Sequence, residues 1–67
     1  MSDEDLSAEE NRAITGLIRE ELAKRRLTRA ALADDAKLSL STLEKAMAGQ
    51  RPFTLATVVR LESALGM

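Results

Sequence analysis

The sequence predicts an all-α fold, a compact bundle of four or at most five helices, on three observations. Ala, Leu, Glu, Arg and Lys dominate the 67 residues, with three Gly, one Pro and a single aromatic, Phe53. Apolar residues recur at spacings of three and four through most of the chain. Each apolar run is preceded by a hydroxyl residue of the kind that caps helix N-termini. A mixed fold of this length would need more Val, Ile, Tyr and turn residues.

The elements follow in order. Ser7-Ala8-Glu9-Glu10 fits a capping box, in which each side chain satisfies a backbone donor at a helix start. Ala13/Ile14, Leu17/Ile18 and Leu22 then make one apolar stripe on a helix over 8–26. It closes on Lys24-Arg25-Arg26, cations at the negative end of the dipole; these read as a solvated terminus or as a phosphate contact. Thr28 caps a short helix over 29–36 that buries Leu32, Ala33 and Ala36, the small Ala33 allowing close approach of a neighbour. Lys37-Leu38-Ser39 breaks the pattern. Ser39 caps a third helix over 40–48, with Leu43, Ala46 and Met47 inward; a rival box, Ser41-Thr42-Leu43-Glu44, would start it two residues later. Gly49 stops that helix in the left-handed conformation. Gln50-Arg51-Pro52-Phe53 is a loop in which Phe53 plugs the core. Thr54 caps a fourth helix over 55–65, whose Leu55, Val58, Leu61/Glu62 and Leu65 keep the helical period before Gly66.

Length allows one domain with one modest core. We expect residues 1–6 to be an acidic flexible arm and 7–67 the folded domain. There is no Cys and no His, so no disulfide, thiolate or imidazole metal site is expected, and no cofactor. An enzyme is not expected, since catalysis would need paired carboxylates in a cleft; Glu20-Glu21 and Asp34-Asp35 read as helix-surface charge. The acidic N-terminus is unlike a signal peptide, and no apolar run nears the roughly 18 residues of a membrane span. A cytoplasmic protein with no membrane or small-molecule partner is expected. The net charge is −1, but unevenly placed: residues 1–11 hold five acids and no base, while 12–67 hold ten bases and six acids, a net of +4. A mildly basic domain with an acidic arm remains compatible with a phosphate-bearing partner, because local patches meet the phosphates. As a hypothesis, the arm occludes that basic face in cis.

Two short helices joined by a three-residue turn describe a helix-turn-helix, in which the first helix braces the second so that its N-terminal side chains project. A helix so presented fits the roughly 12 Å major groove of DNA. The stretch from Leu27 to Leu65 resembles the phage-repressor and Cro, or Xre-type, helix-turn-helix domains. The resemblance rests on Leu32-Ala33, Leu38-Ser39 at the turn, Ser41-Thr42-Leu43, Gly49 and the closing Ala64-Leu65-Gly66. With the preceding helix it covers about residues 12–66. It implies a lambda-repressor-like fold with the helix-turn-helix at helices two and three, acting as the DNA-binding domain of a transcriptional regulator.

The resemblance also implies positions for DNA contact. Arg29 falls where the family places a polar residue on the phosphate backbone. Leu40, Ser41 and Thr42 fall where side chains face base edges or adjacent phosphates, and Lys45 lies one turn on. Gln50 and Arg51 fall in a loop that touches backbone, and the caps Thr28 and Ser39 complete the set. Arg and Lys neutralise phosphates, small hydroxyls bond phosphate or base, Leu40 suits a thymine methyl, and Lys45 suits guanine acceptors. The resemblance implies a homodimer on a two-fold operator, with the chain by itself expected to be monomeric or only weakly dimeric in solution.

Four departures stand against the family pattern. Lys37 replaces a common turn Gly, Met47 replaces a Glu common near the end of helix three, Glu44 puts negative charge near the presumed face, and Leu40 is apolar there. Glu44, the low net charge, the acidic arm and the apolar Leu40 face favour a rival reading, a protein-interaction or antitoxin-like module that keeps the fold without binding DNA.

Overall fold

The four helices all open on a hydroxyl that accepts a backbone N–H. In the computed structural model, which describes residues 4–67, these are α1 (Ala8–Arg25), α2 (Arg29–Asp35), α3 (Leu40–Met47) and α4 (Leu55–Leu65). Ser7, Thr28, Ser39 and Thr54 accept from Glu10, Ala31, Thr42 and Thr57, three residues on in every case. At α1 the box is reciprocal: Glu10 N donates to Ser7 Oγ at 3.1 Å, and Ser7 N to Glu10 Oε1 at 2.9 Å. Ser39 rather than Ser41 starts α3, because Ser39 Oγ takes the Thr42 N–H at 3.0 Å. No fifth helix and no β-strand occurs among the described residues.

The helix ends share one geometry as well. Arg26, Lys37, Gly49 and Gly66 adopt the left-handed conformation, with φ of 53°, 61°, 79° and 72°. In each case the next residue's N–H reaches back five residues: Leu27 to Leu22, Leu38 to Ala33, Gln50 to Lys45 and Met67 to Glu62, at 2.8–3.0 Å. This double turn satisfies carbonyls that a helix end otherwise leaves unpaired. Leu27 and Leu38, the residues so placed after α1 and α2, turn back against the core.

Eleven apolar residues make that core. Ile18 and Leu22 come from α1, Leu32 and Ala33 from α2, Ala36 from its end, Leu43, Ala46 and Met47 from α3, and Leu61 and Leu65 from α4. Phe53, 1% exposed, fills the centre from the α3–α4 loop, as a plug should. Truncating a buried Phe generally costs about 3–5 kcal/mol, a large share of the stability of so small a domain. α2 packs against both α3 and α4, while α1 packs against α3. The alanines at 33, 36 and 46 keep those contacts close. Met47 is 4% exposed, so α3 is anchored at that point by apolar packing in place of a carboxylate. No polar side chain is buried among the described residues.

The chain ahead of α1 is tied down from Glu4 onward. Leu6 N donates to Phe53 O at 2.8 Å and Leu55 N to Glu4 O at 2.9 Å, forming an isolated bridge between Asp5 and Thr54. Asn11 holds the same region with its side chain. Its Nδ2 donates to Leu6 O (3.0 Å) and Ser7 O (2.9 Å), and its Oδ1 accepts from Phe53 N at 2.7 Å. Residues 4–6 of the arm expected over 1–6 are therefore paired with the loop, because two backbone donors there would otherwise lack a protein partner; residues 1–3 lie outside the described residues.

Candidate nucleic-acid interface

α3 is fixed on one side and free on the other. At about 100° per residue, Leu43, Ala46 and Met47 share the buried side, and Ser41 and Lys45 fall opposite them. Both are exposed. Leu40 and Glu44 flank that face on one side and the half-buried Thr42 on the other. Glu44 thus stands beside the outward face rather than at its centre. Leu40 is 40% exposed, enough to offer an apolar surface while its base stays against the domain.

The hydroxyls differ in what they have left to give. Ser39 Oγ accepts from Thr42 N and donates to Thr42 Oγ1 at 2.7 Å, so its proton is spent and it acts as a cap. Thr42 retains its own proton. Thr28 Oγ1 accepts from Ala31 N at 3.0 Å and also keeps its proton. Ser41 makes no side-chain hydrogen bond among the described residues, which leaves both of its functions unused. It is the freest hydroxyl of the set.

The cations divide similarly. Glu21 draws in Arg25 at 3.0 Å and Lys24 at 3.5 Å at the end of α1. The hydrogen bond from Arg25 holds the Glu21 carboxyl below its ordinary pKa. Two of the three cations at that terminus are thus engaged within the helix. Arg29, Lys45 and Arg51 form no ion pair among the described residues. Arg29 is half-buried at the first position of α2, and its charge coincides with the positive end of that helix. Gln50 and Arg51 are exposed just past Gly49. The nine expected residues accordingly fall on three stretches: the start of α2, the outer face of α3 and the loop leaving it.

Sequence reasoning passed over Asn11, which positions the loop bearing Gln50 and Arg51. An Asn within a helix, where its propensity is poor, was the available signal. Among the described residues no group of acidic, His or Cys side chains could hold a metal ion, and no helix is long and apolar enough to cross a membrane.

Two short helices set by a left-handed turn, the second presenting an unpaired polar face, define a helix-turn-helix domain. The sequence model of the helix-turn-helix family matches residues 18–67, and the chain belongs to that family, the Cro/C1-type proteins of the Xre-like repressors. No curated protein and no solved structure matches the chain. The family is one of DNA-binding regulators.

Proposed function

We propose that the protein is a sequence-specific double-stranded DNA-binding regulator whose α3 enters the major groove. The observation that carries this reading is the outer face of α3, where Ser41 and Lys45 project without internal partners from a helix whose other side is locked in the core. Ser41 and Lys45 read base edges, with Lys45 donating to guanine acceptors and Leu40 covering a thymine methyl. Arg29, Thr28, Thr42, Gln50 and Arg51 bond phosphates and set the register. Ser39 contributes by holding α3 in place. The protein acts in the cytoplasm, and pairing of two copies on a two-fold operator would place two α3 helices one DNA turn apart. Leu55 and Val59, four residues apart on α4 and each more than half exposed, offer an apolar surface for that pairing.

The test is fluorescence anisotropy with a labelled duplex over a salt series, comparing the protein with its Arg29→Ala/Lys45→Ala variant. Each phosphate neutralised contributes about 0.9 to the slope of log affinity against log salt. Salt-dependent binding that falls in the variant supports the reading. Absence of binding at low salt, even after fusion to a dimerising segment, sinks it. Leu40 and Glu44 favour a second reading, a protein-docking module, in which Leu40→Ser would abolish partner binding and the charge variant would not.

A further inference from the structure

Beyond the helix-turn-helix, the molecule carries a basic groove that the reading above leaves unused. It runs between α1, from Ala8 to Arg19, and the end of α3, with a volume of ≈ 680 Å3. Arg12 and Arg19 stand on one wall, Arg51 and Pro52 on the other, and Gly16 and Ala48 are among the small residues between them. Arg12, Gly16 and Arg19 share a face of α1 because they are four and then three residues apart, which puts the two arginines about 10 Å apart along the axis. Nothing would lie within 4 Å of a Cβ added at Gly16, so that part of the groove is open.

Its charge is of one sign. Three guanidinium groups line the groove and no carboxylate does. None of the three forms an ion pair among the described residues. Glu10 and Glu20, the nearest acids of the same helix in sequence to Arg12 and Arg19, do not line it. Location adds the second constraint. Arg51 belongs to the proposed DNA contacts, and Ala48 lies one position past the end of α3, on the side shared by Ser41 and Lys45. The groove therefore shares Arg51 with the candidate interface and meets the end of α3 at Ala48.

We propose that this groove receives the sugar-phosphate backbone of the same DNA, beyond the bases that α3 reads, with Arg12 and Arg19 as the added phosphate ligands. This rests on the DNA-binding reading and extends it from helices two and three to the first helix. Arginine suits the role because its planar fork bonds phosphate oxygens in pairs. The groove adds affinity and orientation and no base preference, since phosphates are alike whatever the sequence.

The experiment uses the whole chain and a mixed-sequence duplex several helical turns long. Arg12→Gln/Arg19→Gln should lower the salt slope by about 2 and weaken binding on the order of tenfold at low salt. Gly16→Asp, which places a carboxylate in the open groove, should weaken binding in the same way. Arg12→Lys/Arg19→Lys should restore most of the slope, and none of the three should alter the ranking of different duplexes. Circular dichroism melts establish that each variant is folded. If the Gln pair and Gly16→Asp leave affinity and slope unchanged while Arg29→Ala/Lys45→Ala reduces them, the groove proposal is overturned and the DNA reading stands. If the protein binds no duplex at low salt, either alone or fused to a dimerising segment, both fall together. A fluorescent poly-glutamate peptide that binds the groove and is lost with Gly16→Asp, against unchanged DNA affinity, would assign the groove to an acidic protein partner and also overturn the proposal.

Discussion

The first two helices and the last two end in the same way with different residues. All four stop on a left-handed residue followed by a hydrogen bond reaching back five positions. After α3 and α4 that residue is glycine, which adopts the conformation without a Cβ penalty. After α1 and α2 it is Arg26 and Lys37, each held where an L side chain costs of order 1–3 kcal/mol. The geometry is thus a requirement of the fold, whereas the residue filling it is not. Where the chain enters and leaves α2, it tolerates strain and keeps a cation. Where it leaves α3 and α4, it relaxes.

The largest way to break this comparison is to put strain where glycine now relieves it. Gly49→Val should destabilise the domain by about 1–3 kcal/mol, read as a fall in melting temperature of several degrees for each kcal/mol at this size. A Cβ there meets nothing within 4 Å, so the loss is conformational and a steric clash is not part of it. An unchanged melt would mean that the turn can be rebuilt at no cost.

The reverse exchange should be smaller and of opposite sign. Lys37→Gly or Arg26→Gly relieves the left-handed side chain but gives the unfolded chain more freedom, leaving a net gain of about 0.5–1 kcal/mol. A melt that does not rise would show that the replaced cation makes an offsetting contact. Gly16 sharpens the point, because it lies inside α1 and does not need glycine's freedom. Gly16→Ala should also raise the melting temperature, by about 0.5–1 kcal/mol of stability. Glycine is therefore worth keeping at 49 and costly at 16, and chemical denaturation of the two variants should move in opposite directions.

The smallest effect concerns the helix starts and pH. Hydrogen bonds from the Ser7 backbone N–H and then the Ser7 hydroxyl hold Glu10 below its ordinary pKa of 4.5. Glu21 is lowered first by its hydrogen bond from Arg25. A carboxylate more acidic in the folded state stabilises fully above its unfolded pKa and loses that contribution as pH falls through the folded value. Melting temperature should therefore be flat from neutral pH down to about 5 and decline below that. Glu10→Gln/Glu21→Gln should flatten the acid part of the curve, while the amide oxygen introduced by Glu10→Gln can still accept the Ser7 N–H at neutral pH. An acid limb unchanged in the double variant would exclude these two groups as its source.

The starts of α1, α2 and α4 were legible because each is decided within four residues, a hydroxyl and an N–H three positions on, whereas at α3 Ser39 and Ser41 met that rule equally until the Thr42 N–H chose Ser39. Lys37 stands where the resemblance places a turn Gly, and its φ of 61° is the left-handed conformation that such a Gly would supply. The ends were slightly less legible, and α1 stops at Arg25 because Arg26 leaves the helix. Periodicity misjudged two positions. Ala13 and Leu55 fit the apolar repeat yet are exposed, since spacing marks a face without showing how far a neighbour covers it. What the sequence could not display was pairing across distance. The bond from Phe53 N to Asn11 spans 42 residues, and the bridge from Asp5 to Thr54 is similarly remote. For the candidate interface, the stretches were implied by the family resemblance, while the spent proton of Ser39 and the free hydroxyl of Ser41 depend on the folded geometry. Arg12 and Arg19 carry no signal in the sequence, because their groove exists only once α1 meets the end of α3.

The Asn11 amide has a further consequence for how such a protein can change. It sits in α1 and grips the α3–α4 loop through the backbone of Phe53 and the chain ahead of α1 through the Leu6 and Ser7 carbonyls, and at none of the three does it depend on a partner side chain. The loop is moored by its main chain, and the side chains of Gln50 and Arg51 play no part in the mooring. Those two positions are consequently open to drift, so that contact with a new target can be acquired by single substitutions while the scaffold that presents them is inherited unchanged.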